Sequence, residues 1–236
     1  MTATELLATL RAHANAANVA GMARYGIRTE AALGVPVPVI RSLAKQAGKN
    51  HALALELWKS GIHEARILAT LVEEPDRITP RQMDGWSRQF DSWDICDHAC
   101  HNLFRYTPFA WEKAAEWARA RPEFVKRAGF SLMAGLAVKD KAAADLQFEA
   151  LFPLIEEAAG DGRNMVKKAV NWALRQIGKR NPRLRRKAIA TARKIHQQGS
   201  PSARWIASDA LRELSRVDLK ESPGNGNNTM EPKHHE

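Results

Sequence analysis

Apolar residues recur three or four positions apart along almost the whole chain. This spacing places them on one face of an α-helix, because a helix completes a turn in about 3.6 residues. Alternation of apolar and polar residues, which is typical of half-buried strands, appears only briefly in "VPVPVI" at residues 35–40. The pattern therefore predicts an all-α protein.

Four dipeptides place a capping side chain directly before a proline, and each predicts the start of a helix. They are Thr79-Pro80, Thr107-Pro108, Asn181-Pro182 and Ser200-Pro201. The Ser, Thr or Asn side chain accepts a hydrogen bond from the first turn, and proline gives up only an N–H that has no partner there.

Prolines and glycines mark helix ends and divide the chain into about a dozen predicted helices with short connections. Successive helical hairpins of roughly 35 to 40 residues predict a right-handed α-solenoid of HEAT-like repeats. We expect one domain over residues 1–217. The polar, Gly/Asn-rich segment 218–236 is expected to be a disordered tail in which His234 and His235 bind no metal.

The net charge is +10, and the excess is concentrated in one segment. Residues 163–208 contain thirteen Lys and Arg and no Asp or Glu. Such a segment repels itself unless a polyanion binds it, so it predicts a nucleic-acid-binding surface on the concave side of the solenoid. The alternative is a solvated face without a partner.

Two cysteines, Cys96 and Cys100, are too few for a disulfide scaffold and suggest a reducing compartment. The sequence shows neither the features of a signal peptide nor an apolar run of membrane-spanning length. We expect a cytoplasmic protein that does not bind membranes.

The stretch "DSWDICDHACH" at 91–101 combines carboxylates, an indole, thiols and imidazoles. Asp91 and Asp94 have the spacing of an N-cap and a third-position acid of a helix. A helical wheel then separates an apolar face from a neighbouring ridge. The apolar face carries Ile95, Cys96, Ala99, Cys100 and Leu103, and the ridge carries Trp93, Asp97 and His101.

Two kinds of chemistry and one purely structural role are conceivable for this stretch. A metal site would require Cys96 and Cys100 to leave the apolar face, and no second cysteine pair completes four ligands, so we expect no metal. Trp93 and Asp97 lie one turn apart and can present a ring face and a negative charge to one cationic ligand. Alternatively, the indole covers the next repeat beside a solvated acid.

Two further segments carry candidate residues. On the helix predicted for "RNMVKKAVNWALRQIGKRNP", Trp172 falls among Lys168, Arg175 and Lys179, which suits a surface that binds a phosphate backbone. It could instead lie flat against a neighbouring helix. In "RPEFVKRAGFSLM", Arg127 lies opposite the apolar stripe and could hold a phosphate or pair with a carboxylate.

Five ordered segments resemble the DNA alkylation repair family, the AlkD-like DNA glycosylases built from HEAT-like repeats, over nearly all of residues 5–215. They are "RYGIRTEAALGVPVPVIRSLAK", "LWKSGIHEARILA", "SWDICD", "FVKRAGF" and "MVKKAVNWALRQIGKRNP". The resemblance implies hydrolysis of the N-glycosidic bond of alkylated purines such as 3-methyladenine and 7-methylguanine in double-stranded DNA. It implies a monomer without a cofactor, and a lesion that is processed without deep insertion of a flipped base.

The family's lesion site matches particular residues of this chain. The resemblance implies that Asp97 is the catalytic carboxylate and that Trp93 and Trp172 contact the lesion nucleotide. It also matches Arg127 to an arginine of the lesion site, and together with the cations of the basic segment this gives Arg127, Lys168, Arg175, Lys179 and Arg180 as the expected DNA-binding residues. Two rival functions remain: a HEAT-repeat protein that binds damaged or branched DNA without chemistry, and a protein-interaction scaffold.

Overall fold

The computed structural model describes residues 1–221, with side chains as far as Arg216. Its helices are α1 (Ala3–Ala12), α2 (Ala16–Arg24), α3 (Val37–Ala47), α4 (His51–Lys59), α5 (His63–Val72), α6 (Pro80–Ser87), α7 (Trp93–Asn102), α8 (Ala110–Ala118), α9 (Glu123–Lys139), α10 (Asp145–Glu149), α11 (Phe152–Ala158), α12 (Asn164–Gly178), α13 (Pro182–Gln197) and α14 (Pro201–Glu221). Short 3-10 turns occupy Pro75–Arg77 and Phe104–Tyr106. No strand occurs in residues 1–221, which confirms the all-α prediction.

The helices pack as a solenoid with one central row of helices. In this central row α5 contacts α7, α7 contacts α9, α9 contacts α12 and α12 contacts α14. Helices α4, α8 and α13 pack beside α5, α9 and α14 respectively. Helix α9 lies in the middle of the row and is buried on nearly all sides.

Three of the four predicted helix starts are confirmed by their capping hydrogen bonds. Thr79 Oγ1 accepts from Gln82 N at 3.2 Å, Asn181 Oδ1 from Leu184 N at 2.9 Å, and Ser200 Oγ from Ala203 N at 3.1 Å. The prediction for Thr107-Pro108 is wrong, because α8 begins only at Ala110. The Thr107 hydroxyl instead donates to Phe104 O at 2.8 Å and closes a 3-10 turn.

The start of α7 also differs from the prediction. Its N-cap is Ser92, not Asp91, and the Ser92 hydroxyl accepts a hydrogen bond from Arg28 N at 3.0 Å. Asp91 lies 3.7 Å from Arg66, and Asp94 pairs with His63 at 2.7 Å. Asp91 therefore contacts another segment of the chain, whereas Asp94 contacts His63 and also accepts a hydrogen bond from Ile95 N in the first turn at 2.9 Å, as predicted for a carboxylate at a helix start.

The apolar faces predicted for α7 and α12 form part of the core. On α7, Ile95, Cys96, Ala99 and Cys100 are at most 1% exposed, and Leu103 beyond the helix end is fully buried. On α12 the buried stripe is Val166, Ala169, Val170, Ala173, Leu174 and Ile177. The remaining faces of these helices are therefore the ones available for a functional site.

Helix α14 continues to Glu221, past the domain end expected at residue 217. The rest of the predicted tail, 222–236, lies outside the described residues. Within the described part of the chain, no helix combines the length and the apolar character needed to cross a bilayer.

Candidate active site

Two stripes of side chains pack level by level where α7 crosses α9. Both stripes repeat every four residues, so each turn of one helix meets one turn of the other. They comprise Trp93, Asp97 and His101 on α7, and Arg127, Ser131 and Gly135 on α9. The alignment of the two stripes determines which α9 residue lies against Trp93, Asp97 and His101.

The Asp97 carboxylate lies at the centre of these stripes and is held by two side chains of α9. Arg127 donates from Nε to Oδ1 at 3.1 Å and from Nη2 to Oδ2 at 2.7 Å, and the Ser131 hydroxyl donates to Oδ1 at 3.0 Å. The third guanidinium nitrogen, Nη1, donates to Met165 O of α12 at 2.7 Å. The pair therefore joins three helices of the central row in one fixed geometry.

The ion pair is asymmetric in its exposure. The Asp97 side chain is 18% exposed, whereas the Arg127 side chain is 7% exposed. Burial by itself lowers the pKa of Arg127, but the charge of Asp97 and its hydrogen bonds with the guanidinium together outweigh burial and hold that pKa above its ordinary value. Arg127 is consequently a permanent cation beneath a carboxylate that reaches the surface.

Two indoles flank Asp97. Trp93 lies with its ring 6.0 Å from the Arg127 guanidinium, and its Nε1 donates to Tyr25 O at 3.1 Å. Trp172 stacks on His101 with ring centres 4.9 Å apart and planes 10° from parallel. The structure therefore brings Trp93, Asp97 and Trp172 together, as expected from the resemblance, with His101 added between them.

A cavity of about 500 Å³ opens beside these residues, and Trp93, Asp97, His101 and Trp172 line one side of it. The opposite side comes from α2, α3, α5 and the segment before α3. It is mostly apolar, with Met22, Ile27, Val35, Ile40 and Ile67, and it also carries polar side chains such as Asn18 and Arg41. The sequence alone did not reveal this cavity, because its walls come from five helices that are distant in the chain.

Glu64 fixes the segment that forms one wall of the cavity. Its buried carboxylate accepts hydrogen bonds from the backbone of Leu33, Gly34 and Val35 at 2.9, 2.7 and 3.3 Å. Three donors on one carboxylate hold an irregular segment without a helix or sheet. Sequence reasoning missed Glu64, since an acid on an apolar helix gives no local sign of its partner.

Three histidines line the cavity and differ in their protonation behaviour. Burial lowers the pKa of His98 and of His101, so both imidazoles are neutral near pH 7. Burial acts on His63 in the same direction, but the hydrogen bond to Asp94 and the nearby negative charges together outweigh it and raise the pKa of His63. The imidazole next to Trp172 therefore acts as an uncharged aromatic surface.

A family model described as a DNA alkylation repair enzyme matches residues 6–214, nearly the whole described chain. The chain belongs to the DNA alkylation repair family. A solved structure described as "a new family of proteins related to the HEAT-like repeat DNA glycosylases with affinity for branched DNA structures" is similar in fold, with a TM-score of 0.77. It is 19% identical, and the match covers 93% of this chain and 96% of that chain. The comparison with curated proteins gives no match.

The fold of this DNA alkylation repair family member confirms the prediction of an all-α solenoid of HEAT-like repeats. Its five predicted DNA-binding cations occupy different environments. Of the two partners considered for Arg127, a phosphate or a carboxylate, the structure shows a carboxylate, that of Asp97. Lys168 is exposed and forms no ion pair within the described residues. As contacts to DNA, all five stay predictions.

The remaining three cations of that set already have partners in the protein. Arg175 and Lys179 both pair with Glu213 of α14. Arg180 donates to Ala137 O, Asp140 O and Ala143 O at 2.8 to 3.2 Å. Its guanidinium also lies 4.1 Å from the ring centre of Phe148. These contacts anchor the segment after α9.

The two thiols lie in the core of the family fold. Cys96 and Cys100 are free and fully buried, and they contact Phe124 O and Ala128 O at 3.5 and 3.6 Å. Burial raises the pKa of Cys96, which keeps it a neutral thiol. Residues 1–216 contain no cluster of three or more His, Cys, Asp or Glu that could hold a metal ion.

Proposed function

We propose that this protein is a DNA glycosylase that releases cationic N-alkylated purines, such as 3-methyladenine and 7-methylguanine, from duplex DNA. The observation that carries the proposal is the Asp97 carboxylate. It is partly exposed beside a cavity, flanked by Trp93 and Trp172, and fixed by Arg127 and Ser131. Membership of a DNA alkylation repair family supports the same reaction class.

The chemistry requires a fixed negative charge and no general acid. Alkylation at N3 or N7 makes the purine a cation, so cleavage of the bond to C1′ leaves the electron pair on the base, which departs neutral. Positive charge then develops on the deoxyribose as an oxocarbenium ion. A preorganised carboxylate stabilises that charge, and water adds to C1′ and loses a proton to the solvent.

The hydrogen bonds of Asp97 leave it able to orient the attacking water. A carboxylate offers about four acceptor positions, and Arg127 and Ser131 occupy three of them. The remaining position is on Oδ2, which can accept a hydrogen bond from water.

The aromatic residues would act on the sugar and the backbone of the lesion nucleotide. The ring faces of Trp93 and Trp172 favour positive charge, which grows on the sugar in the transition state. Lys168, one turn before Trp172 on α12, would hold a neighbouring phosphate.

The proposal is tested by incubating purified protein with duplex DNA that carries 7-methylguanine or 3-methyladenine and measuring the free base. We expect base release by the wild-type chain and an abasic site in the DNA. Binding of the methylated duplex with no free base at high enzyme concentration would refute it.

A second candidate is a protein that binds distorted or branched DNA without chemistry. The observation that favours it is the Arg127 charge, which partly neutralises Asp97. The structural relative described as having affinity for branched DNA supports it as well. Tighter binding to a four-way junction than to methylated duplex, together with no base release, would select this candidate.

A further inference from the structure

Trp205 on α14 is unlike the other tryptophans of the chain. All seven lie in the described part of the chain, and Trp205 alone is exposed, at 41%. The ammonium group of Lys167 on α12 lies 4.9 Å from the centre of its ring. The indole therefore has a cation against the ring and a large apolar surface open to solvent.

A chain of contacts connects this indole rigidly to the Asp97 site. Arg127 binds Asp97 and also donates to Met165 O, two residues before Lys167 on α12. The loop before α12 is tied to both neighbouring helices. Asp161 Oδ2 pairs with Lys126 of α9 at 3.3 Å, and its carbonyl accepts from Ser202 Oγ of α14 at 2.8 Å. Helices α9, α12 and α14 thus present one continuous edge.

The same edge carries cations that the protein does not neutralise. Lys167, Lys168 and Arg204 form no ion pair within the described residues, and Lys168 and Arg204 are exposed. An exposed indole among unpaired cations is the composition of a surface that binds a nucleic-acid strand.

We infer that the Trp205–Lys167 pair is a second nucleotide-binding site, which stacks an unpaired base of a DNA strand on the indole. Lys167, Lys168 and Arg204 bind the phosphates of that strand. In a continuous duplex each base is covered on both faces by its neighbours. A base is free to stack on Trp205 only at a gap, a flap or a frayed branch point. Stacking uses the ring face that every base has, so the site discriminates by strand structure and not by sequence.

This inference rests on the DNA binding that belongs to the proposed function, and affinity measurements test it directly. Fluorescence anisotropy would compare a continuous duplex with the same duplex extended by a short single-stranded arm. We expect the wild-type chain to prefer the extended DNA. Trp205→Ala should lose about fivefold or more of that preference, and Trp205→Phe should keep most of it. Leu146→Ala, which also truncates an exposed apolar side chain, should change nothing.

Lys167→Gln should weaken binding of the extended DNA and lower its dependence on salt, whereas Lys45→Gln on α3 should do neither. Equal wild-type affinity for the two DNAs would overturn the inference. So would an unchanged preference in Trp205→Ala, checked to be folded by circular dichroism and thermal unfolding.

A third readout separates this site from the proposed reaction. Trp205→Ala should release 7-methylguanine from continuous duplex at the wild-type rate under single-turnover, saturating conditions. A wild-type chain that releases no base but prefers the extended DNA through Trp205 would refute the glycosylase and leave the second site standing.

Discussion

Asp97 and Arg127 show what a single helix can and cannot reveal about a residue. The helical wheel placed both away from their apolar stripes, and both are polar partners at the α7–α9 crossing. For Arg127 the sequence left a phosphate and a carboxylate open, and the structure shows the carboxylate. The choice depends on the register between two helices whose paired residues are 30 positions apart, and local periodicity contains no information about that register.

Because Arg127 is buried, its pairing with Asp97 should contribute a measurable interaction free energy to the stability of the protein. Arg127→Met should lower the free energy of unfolding by about 3 kcal/mol, because it leaves a half-buried carboxylate without its cation. The double variant Arg127→Met with Asp97→Asn should be more stable than the sum of the two single changes predicts, by about 1 kcal/mol or more. Urea unfolding measures all four proteins. Additive effects would show that the pair does not stabilise the α7–α9 crossing.

The contacts of Trp172 could likewise not be predicted from its own helix. The wheel placed it among cations, yet its ring lies on His101 of α7. The contact requires His101 to extend over α9 at Gly135, where an added Cβ would come within 3.2 Å of His101 Cε1. Gly135 can be read in the sequence, but the space that it leaves for His101 follows only from the way α7, α9 and α12 pack together.

At the scale of elements, the helices and several of their boundaries can be predicted from local sequence signals. Tertiary packing explains the boundaries that were predicted wrongly. Thr79, Asn181 and Ser200 cap helices because no other donor competes for their side-chain oxygens, and Asn181 uses its Nδ2 separately to donate to Asp145. Thr107 and Asp91 do not, since the first closes a 3-10 turn and the second lies near Arg66. A capping residue is thus a reliable marker where its side-chain oxygen is not engaged in a tertiary contact.

The crossing of α8 and α9 depends on Gly129. A Cβ at this position would lie 2.5 Å from Ala118 N and 2.9 Å from Trp117 C, both backbone atoms. Gly129→Ala should therefore destabilise the protein by about 2 kcal/mol, although alanine favours a helix. Gly85→Ala on α6 has nothing within 4 Å and should be neutral or stabilising by up to about 1 kcal/mol. Thermal unfolding of the two variants decides, and a stable Gly129→Ala would contradict the close approach.

The loop before α12 predicts a pH dependence of stability. Hydrogen bonds from Arg163 and Lys126 lower the pKa of Asp161 to about 2. Its stabilisation is therefore full above the ordinary pKa near 3.8 and is lost as the pH falls towards 2. That loss amounts to about 2 kcal/mol. Denaturant unfolding of wild type and Asp161→Asn from pH 5 to pH 2 should show a smaller decline in the variant. Parallel curves would contradict this assignment.

At the scale of the whole molecule, the acid-free segment 163–208 is less uniformly basic in three dimensions than in sequence. Acidic residues outside the segment supply the compensating charges. Glu149 pairs with Arg183 and Lys187, and Glu213 pairs with Arg175 and Lys179. Composition identified the surplus of charge, but only the fold decides which cations remain available to a polyanion.

This division predicts which cations determine the salt dependence of DNA binding. Lys168→Gln should weaken duplex binding and reduce the slope of log affinity against log salt concentration by about 1, because one released counterion is lost. Arg183→Gln should change the slope less than Lys168→Gln does, since Arg183 already pairs with Glu149. Anisotropy titrations at several salt concentrations measure both slopes. Equal changes in the two variants would show that the ion pairs do not select the DNA-binding cations.

The catalytic claim is tested most directly by the single-turnover rate of 7-methylguanine release from saturating duplex DNA. Asp97→Asn should lower this rate by about 100- to 1000-fold, as expected for losing one preorganised electrostatic group, while DNA affinity stays the same. The control is Asp84→Asn, which removes a carboxylate from another buried cation, Lys113, away from the cavity. It should keep the wild-type rate. A wild-type rate in Asp97→Asn, or an equal loss in Asp84→Asn, would contradict the account.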